Sequence, residues 1–247
     1  MLSTRNVNKA FGSLIVASDI TLEIPRGARH ALIGPNGAGK TTLINLVTGM
    51  LEPDSGAIVV GGEDVTSLKP EARVRRGLAR TFQINALFPR LTALESVALA
   101  VLEREGRAHN WWHALPAFGP AIDEAHAILV SLNIPAEKET RELAYGQQRL
   151  LEIALALATR PRILLLDEPA AGVPKDESQQ LFTAIAGLSG ELTVLFIEHD
   201  MDVVFRFASR IHVMVGGRIL VEGTPAEIAR DERVREVYLG RSHRAAA

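Results

Sequence analysis

Two clusters in this chain of 247 residues have the types and spacing for phosphate chemistry. The run Gly34-Pro35-Asn36-Gly37-Ala38-Gly39-Lys40-Thr41 fits G-x-x-x-x-G-K-[ST]. Glycines at these positions let backbone N–H groups close around phosphate oxygens. The helix that follows offers an N-terminus whose dipole favours negative charge. Lys40 is expected to reach the β- and γ-phosphates, and the Thr41 hydroxyl to ligate Mg²⁺. The pattern therefore predicts a bound nucleoside triphosphate, with Thr42 grouped among its contacts. The second cluster, Ile163-Leu164-Leu165-Leu166-Asp167-Glu168-Pro169, is an apolar run ending in two acids. Asp167 can hold Mg²⁺ directly or through a water, and Glu168 is placed to orient and deprotonate a water facing the γ-phosphate.

Chemistry of this kind needs rigid elements on either side of the loop. Arg29-His30-Ala31-Leu32-Ile33 reads as a short buried strand entering it, and Thr42-Leu43-Ile44-Asn45-Leu46-Val47 as the opening of a helix leaving it. Residues 1–33 read as short strands, with turns at Phe11-Gly12-Ser13 and Pro25-Arg26-Gly27. Gly49 and Pro53-Asp54-Ser55-Gly56 end the helix, and Ala57 to Gly62 suits a strand into a tight turn. From about Leu87 to Leu157 the pattern is mainly helical. Apolar runs then return at 163–166, 193–197 and 211–215, as expected of parallel strands covered on both faces. The prediction is a single α/β domain, with residues 1–86 and 158–247 as core and 87–157 as an inserted helical subdomain.

Composition sets looser bounds. Net charge is -2 and the isoelectric point about 6.4, which gives no electrostatic case for a nucleic-acid partner. Hydrophobic residues make up 47% and mean hydropathy is +0.12, yet no run approaches the ~18–20 apolar residues that span a bilayer. Leu2-Ser3-Thr4-Arg5 carries no secretion-signal pattern, and the chain has no cysteine. Disulfides and thiolate chemistry are excluded, and a cytosolic address is expected.

A third cluster points to a family. Leu143-Ala144-Tyr145-Gly146-Gln147-Gln148-Arg149 opens an apolar helix about twenty residues before the acidic strand end. It resembles the signature motif of ABC ATPases, and other elements of that family stand in the same order. Phe11 matches the aromatic loop that stacks on adenine. Gln83, in Ala79-Arg80-Thr81-Phe82-Gln83, matches the glutamine loop near Mg²⁺ and the attacking water. Ala170-Ala171-Gly172-Val173 matches the D-loop, and His199, in Ile197-Glu198-His199-Asp200, the switch histidine that bonds the γ-phosphate and steadies Glu168.

The resemblance implies a P-loop NTPase (RecA-like) core with an inserted helical subdomain, the ABC ATPase fold. It also implies ATP and Mg²⁺, with Glu168, His199, Gln83 and Lys40 in the catalytic set. Mg²⁺ would sit near Thr41, Gln83 and Asp167. Ala144, Tyr145, Gly146 and Gln147 would face the γ-phosphate held by a second ATPase subunit, in a head-to-tail sandwich. Two departures stand out: Ala144 replaces the usual signature serine, and Pro174 stands where the D-loop carries Asp or Asn.

Within the family, the motif wording and the closing Val237-Tyr238-Leu239-Gly240 resemble the ATPases of branched-chain amino acid importers. The resemblance implies transmembrane permease subunits and a like or unlike second ATPase. It also implies an extracytoplasmic solute-binding protein, and a peripheral place on the cytoplasmic face of the membrane. An ATPase of lipopolysaccharide extraction and a soluble ABC ATPase acting on DNA or ribosomes are the alternatives. Leu87 and Phe88 follow Gln83 where the family docks its permease, and core packing is the competing expectation. Arg73, Arg75, Arg76 and Arg80 read as a solvated basic helix face, and Trp111-Trp112-His113 has no functional account.

Overall fold

The computed structural model describes residues 1–81, 87–107 and 119–239. In chain order the first elements are β1 (Leu2–Phe11), β2 (Leu14–Ile24), β3 (Arg29–Ile33), α1 (Lys40–Thr48), β4 (Ser55–Val60), β5 (Glu63–Asp64), α2 (Pro70–Val74) and β6 (Leu78–Arg80). Three longer helices follow: α3 (Ala93–Arg104), α4 (Gly119–Ser131) and α5 (Tyr145–Ala158). Strands then alternate with helices through β7 (Ile163–Asp167), α6 (Lys175–Ala186), β8 (Thr193–Ile197), α7 (Met201–Phe207) and β9 (Arg210–Val215). The elements end with β10 (Arg218–Gly223), α8 (Pro225–Arg230) and α9 (Glu232–Leu239).

The strands form two sheets. One is antiparallel, ordered β2-β1-β4-β5; the other runs β10-β9-β3-β8-β7-β6, parallel except where β10 turns back on β9. Residues of β7 alternate between two cores. Leu164 and Leu166 pack towards the helices α3 to α6, while Ile163 and Leu165 face α1 and the antiparallel sheet. Burial on both faces is why these strands read as unbroken aliphatic runs. α1 is wedged between the sheets through Leu43, Ile44, Leu46 and Val47, all buried.

Two expectations are corrected. β1 and β2 are not short: they run ten and eleven residues, because β1 pairs along its length with β2 on one side and β4 on the other. The arginine cluster is not a solvated face. Arg73 is 1% exposed and donates to the carbonyls of Leu46, Val47, Thr66 and Leu68 at 2.7 to 2.9 Å. Carbonyls at a helix C-terminus lack intrahelical donors, and Arg73 supplies them for α1. Arg80 leaves the cluster altogether, as part of β6; Arg75 and Arg76 alone fit the expectation.

Candidate functional site

Strand order brings the chemistry together. β3, β8 and β7 are neighbours, so the segments after their carboxyl ends adjoin: the loop 34–39, the pair Glu198-His199, and Asp167-Glu168. Ligands of open α/β sheets bind at such strand ends. The loop closes tightly onto the strands beside it. Gly39 has φ 104, and a Cβ there would lie 2.4 Å from the Val16 carbonyl oxygen, so only glycine fits. Gly39 caps α1 without a side-chain hydrogen bond, leaving the first-turn N–H groups of α1 to an anion. Lys40, 7% exposed, donates to the carbonyls of Gly34 and Pro35 at 2.8 and 3.2 Å. Burial pushes its ammonium below the usual range, against the pull of Glu168 and Asp167. A triphosphate would supply the missing negative charge.

Asp167 ends β7 and is 3% exposed. Its Oδ2 accepts from Arg80 at 2.8 Å, while its buried Oδ1 has no hydrogen-bond partner among the described residues. Burial pushes this carboxyl up, opposed by Arg80. A buried carboxylate oxygen left over beside a phosphate loop fits a divalent cation. The described residues hold no group of three or more His, Cys, Asp or Glu able to cage a metal. That donor set suits Mg²⁺, which keeps waters and shares phosphate oxygens rather than taking an all-protein cage. Glu168 follows with φ 50, in the left-handed region. His199 Nε2 lies 2.6 Å from Glu168 Oε1, so the two predicted catalytic side chains meet.

The signature helix is α5. Ala144 is its N-cap and makes no side-chain cap, but its N–H donates to Gln147 Oε1 at 3.2 Å. Gly146 N–H donates to Glu177 Oε2, on α6, at 2.9 Å; a Cβ at Gly146 would lie 2.6 Å from that oxygen. A carboxylate of the same chain thus sits where the absent serine hydroxyl left the helix end uncapped. Tyr145 is turned aside, its hydroxyl accepting from Arg149 at 2.8 Å. Pro174 is the N-cap of α6, where its missing N–H costs nothing. Phe11 stands at the end of β1, 52% exposed, with Lys9 Nζ 5.7 Å from its ring centroid. Asp54 fastens that strand end, accepting from Lys9 and from Ala10 N–H at 2.7 Å each. Gln83 and the Trp111-Trp112-His113 run lie outside the described residues.

The ABC transporter family model matches residues 17–171, which hold the phosphate loop, the signature and both acids. The chain belongs to the ABC transporter family. A second model of that family, the branched-chain amino acid ATP-binding cassette transporter, matches residues 218–244 of this ABC chain. The chain is 39% identical to the high-affinity branched-chain amino acid transport ATP-binding protein BraF of Pseudomonas aeruginosa, over 97% of this chain and 98% of that one. It is 37% identical to the corresponding protein LivG of Escherichia coli K12, over the same shares. Among solved structures it resembles the ADP conformation of the ABC cassette MJ1267 with a TM-score of 0.85. Identity there is 30%, over 97% of this chain and 98% of that one. The dimeric post-hydrolysis state of the cassette MJ0796, bound to ADP and Pi, matches with a TM-score of 0.74 and 25% identity, over 91% and 99%.

Three residues of this ABC site carried no role in the chemistry when read from the sequence. Arg80 reads there as a motif member and as part of the basic cluster, and its partners Asn45 and Asp167 are 35 and 87 residues away. Glu198 stands beside His199, with no signal of its own. Glu177 reads as one acid in a polar helix start. A groove of about 310 Å³ opens beside Arg80 and Thr81, its apolar wall formed by Met50, Pro70, Val74, Leu87 and Leu155. Leu87 and Leu155 also line the next hollow, with Phe88, which is 60% exposed.

Proposed function

We propose that this ABC ATPase hydrolyses ATP to drive import of branched-chain amino acids or a related small solute. The hydrolytic reading is carried by the 2.6 Å contact of Glu168 with His199 at strand ends adjoining the phosphate loop. The solute class is supported by the names of the full-length relatives and by the C-terminal match. These favour the amino-acid reading over lipopolysaccharide extraction and over DNA or ribosome work.

In this reading the loop 34–39 and the N-terminus of α1 bind the β- and γ-phosphates, with Lys40 moving from loop carbonyls to phosphate. Phe11 stacks on adenine. Thr41, Asp167 and Gln83 are the residues that would hold Mg²⁺, and the ion would neutralise charge on the phosphates. Glu168 accepts the proton of the attacking water; His199 orients Glu168 and bonds the γ-phosphate. Ala144 to Gln147 complete the site of a second ATPase subunit, so two nucleotides lie between two subunits. Residues 87–157 form a helical subdomain, and the groove at Leu87 and Phe88 receives a permease subunit at the cytoplasmic face of the membrane. An extracytoplasmic binding protein selects the solute.

The test is Glu168→Gln in the native host, with uptake of labelled leucine, isoleucine, valine, urea and aromatic acids. Selective loss of branched-chain uptake is the expected result. Uptake intact for every solute, with the variant expressed, overturns the importer reading.

A further inference from the structure

Glu198 is a buried acid beside the site to which the hydrolytic scheme gives no part. It follows β8, is 6% exposed, and its two oxygens reach different loops. Oε1 accepts from Ala170 N–H and Oε2 from His199 N–H, each at 3.1 Å. Ala170 lies two residues beyond Glu168, and His199 contacts Glu168 through its ring. One carboxylate therefore grips the backbone on both sides of the Glu168–His199 pair.

Glu168 needs such a grip. Its φ of 50 is strained for a residue with a side chain, and strain of this kind persists only where the surroundings over-determine it. Glu168 N–H donates to the Ile197 carbonyl at 3.1 Å, and its own carbonyl accepts from Ala171 N–H at 3.0 Å. Between those two bonds, Ala170 N–H is held by Glu198. The arrangement is costly: burial pushes the Glu198 carboxyl up, and the two backbone donors offset that only in part. An apolar side chain would fill the place at less cost but could hold neither loop.

We propose that Glu198 is a positioning residue for hydrolysis, fixing the Ala170 and His199 backbones so that Glu168 Oε1 and His199 Nε2 keep their 2.6 Å contact. It rests on the roles proposed for Glu168 and His199.

The experiment measures ATPase kinetics of the assembled transporter carrying wild-type chain, Glu198→Gln or Glu198→Asp. A carboxamide has one acceptor oxygen, so Gln retains one of the two bonds; Asp retains both acceptors on a shorter arm. For Glu198→Gln, kcat is expected to fall on the order of 10- to 100-fold with KM for ATP within about twofold of wild type. Melting temperature stays at the wild-type value, and Glu198→Asp recovers part of kcat. An unchanged kcat overturns the proposal. So does a joint fall of kcat, ATP affinity and melting temperature, which would make Glu198 a structural brace. An inactive wild-type transporter instead overturns the hydrolytic reading on which the proposal rests.

Discussion

Asp167 shows how the site is built at the scale of single residues. A carboxyl 3% exposed is poorly solvated, and Arg80, itself largely buried, pairs with it at 2.8 Å. Removing one partner of a buried pair strands the other charge. Arg80→Met is therefore expected to destabilise the fold by about 3–5 kcal/mol. Urea melts check this, and Arg80→Lys should restore part of the loss; a midpoint unchanged in Arg80→Met would show that Asp167 does not depend on Arg80. Legibility at this scale follows sequence distance. The phosphate loop could be read because its glycines, Lys40 and Thr41 act within one turn of chain. Arg80 and Glu198 could not, because their functional partners are 87 and 28 residues away.

Elements are joined by buried polar side chains that hydrophobic patterning does not show. Arg73 links the C-terminus of α1 to the segment before α2 through four carbonyls. Arg73→Ala leaves buried acceptors unpaired and should cost about 3 kcal/mol in urea melts. His30 on β3 and His212 on β9 are both buried, with His30 Nδ1 2.9 Å from His212 Nε2. Burial pushes His30 from 6.5 down to about 4, aided by His212 and Arg210 and opposed by Glu222. His212 is lowered too, again by burial first. Above pH 6.5 both folded and unfolded His30 are neutral. Between 6.5 and 4 only the unfolded chain takes the proton, so folding stability falls with pH, by about 3 kcal/mol in total. Urea midpoints across this range should fall less steeply in His30→Gln than in the wild type. Equal slopes in the two proteins would remove His30 from the acid response.

The whole molecule offers a groove where β6, α2 and α5 meet, beside the residue that holds Asp167. Large apolar side chains are exposed in this groove, Met50 at 59%, and in the adjoining hollow that shares Leu87 and Leu155, Phe88 at 60%; they fit a surface covered by a partner in the assembled transporter. Phe88→Ser should lower solute uptake at least about tenfold, by removing an aromatic anchor, while basal ATPase of the detached subunit stays at the wild-type rate. Uptake at the wild-type level in that variant would exclude Phe88 from the permease contact. Among the described residues no helix is long and apolar enough to cross a membrane.

By itself the sequence determined what depends on near neighbours in the chain. This covers the strand-loop-helix around Gly34 to Thr41, the aliphatic strand ending in Asp167 and Glu168, and the motif order that identified the family. Tertiary structure decided what depends on strand order and helix packing. It set β8 between β3 and β7, so that His199 meets Glu168, and brought α6 against α5, so that Glu177 caps the helix Ala144 leaves open. It also turned two members of an apparently solvated arginine cluster inward, to α1 and to Asp167. Local patterns record which face a residue takes and which backbone it permits. The partner of a buried charge is chosen only when distant segments pack, because only then is water removed and a counter-charge required.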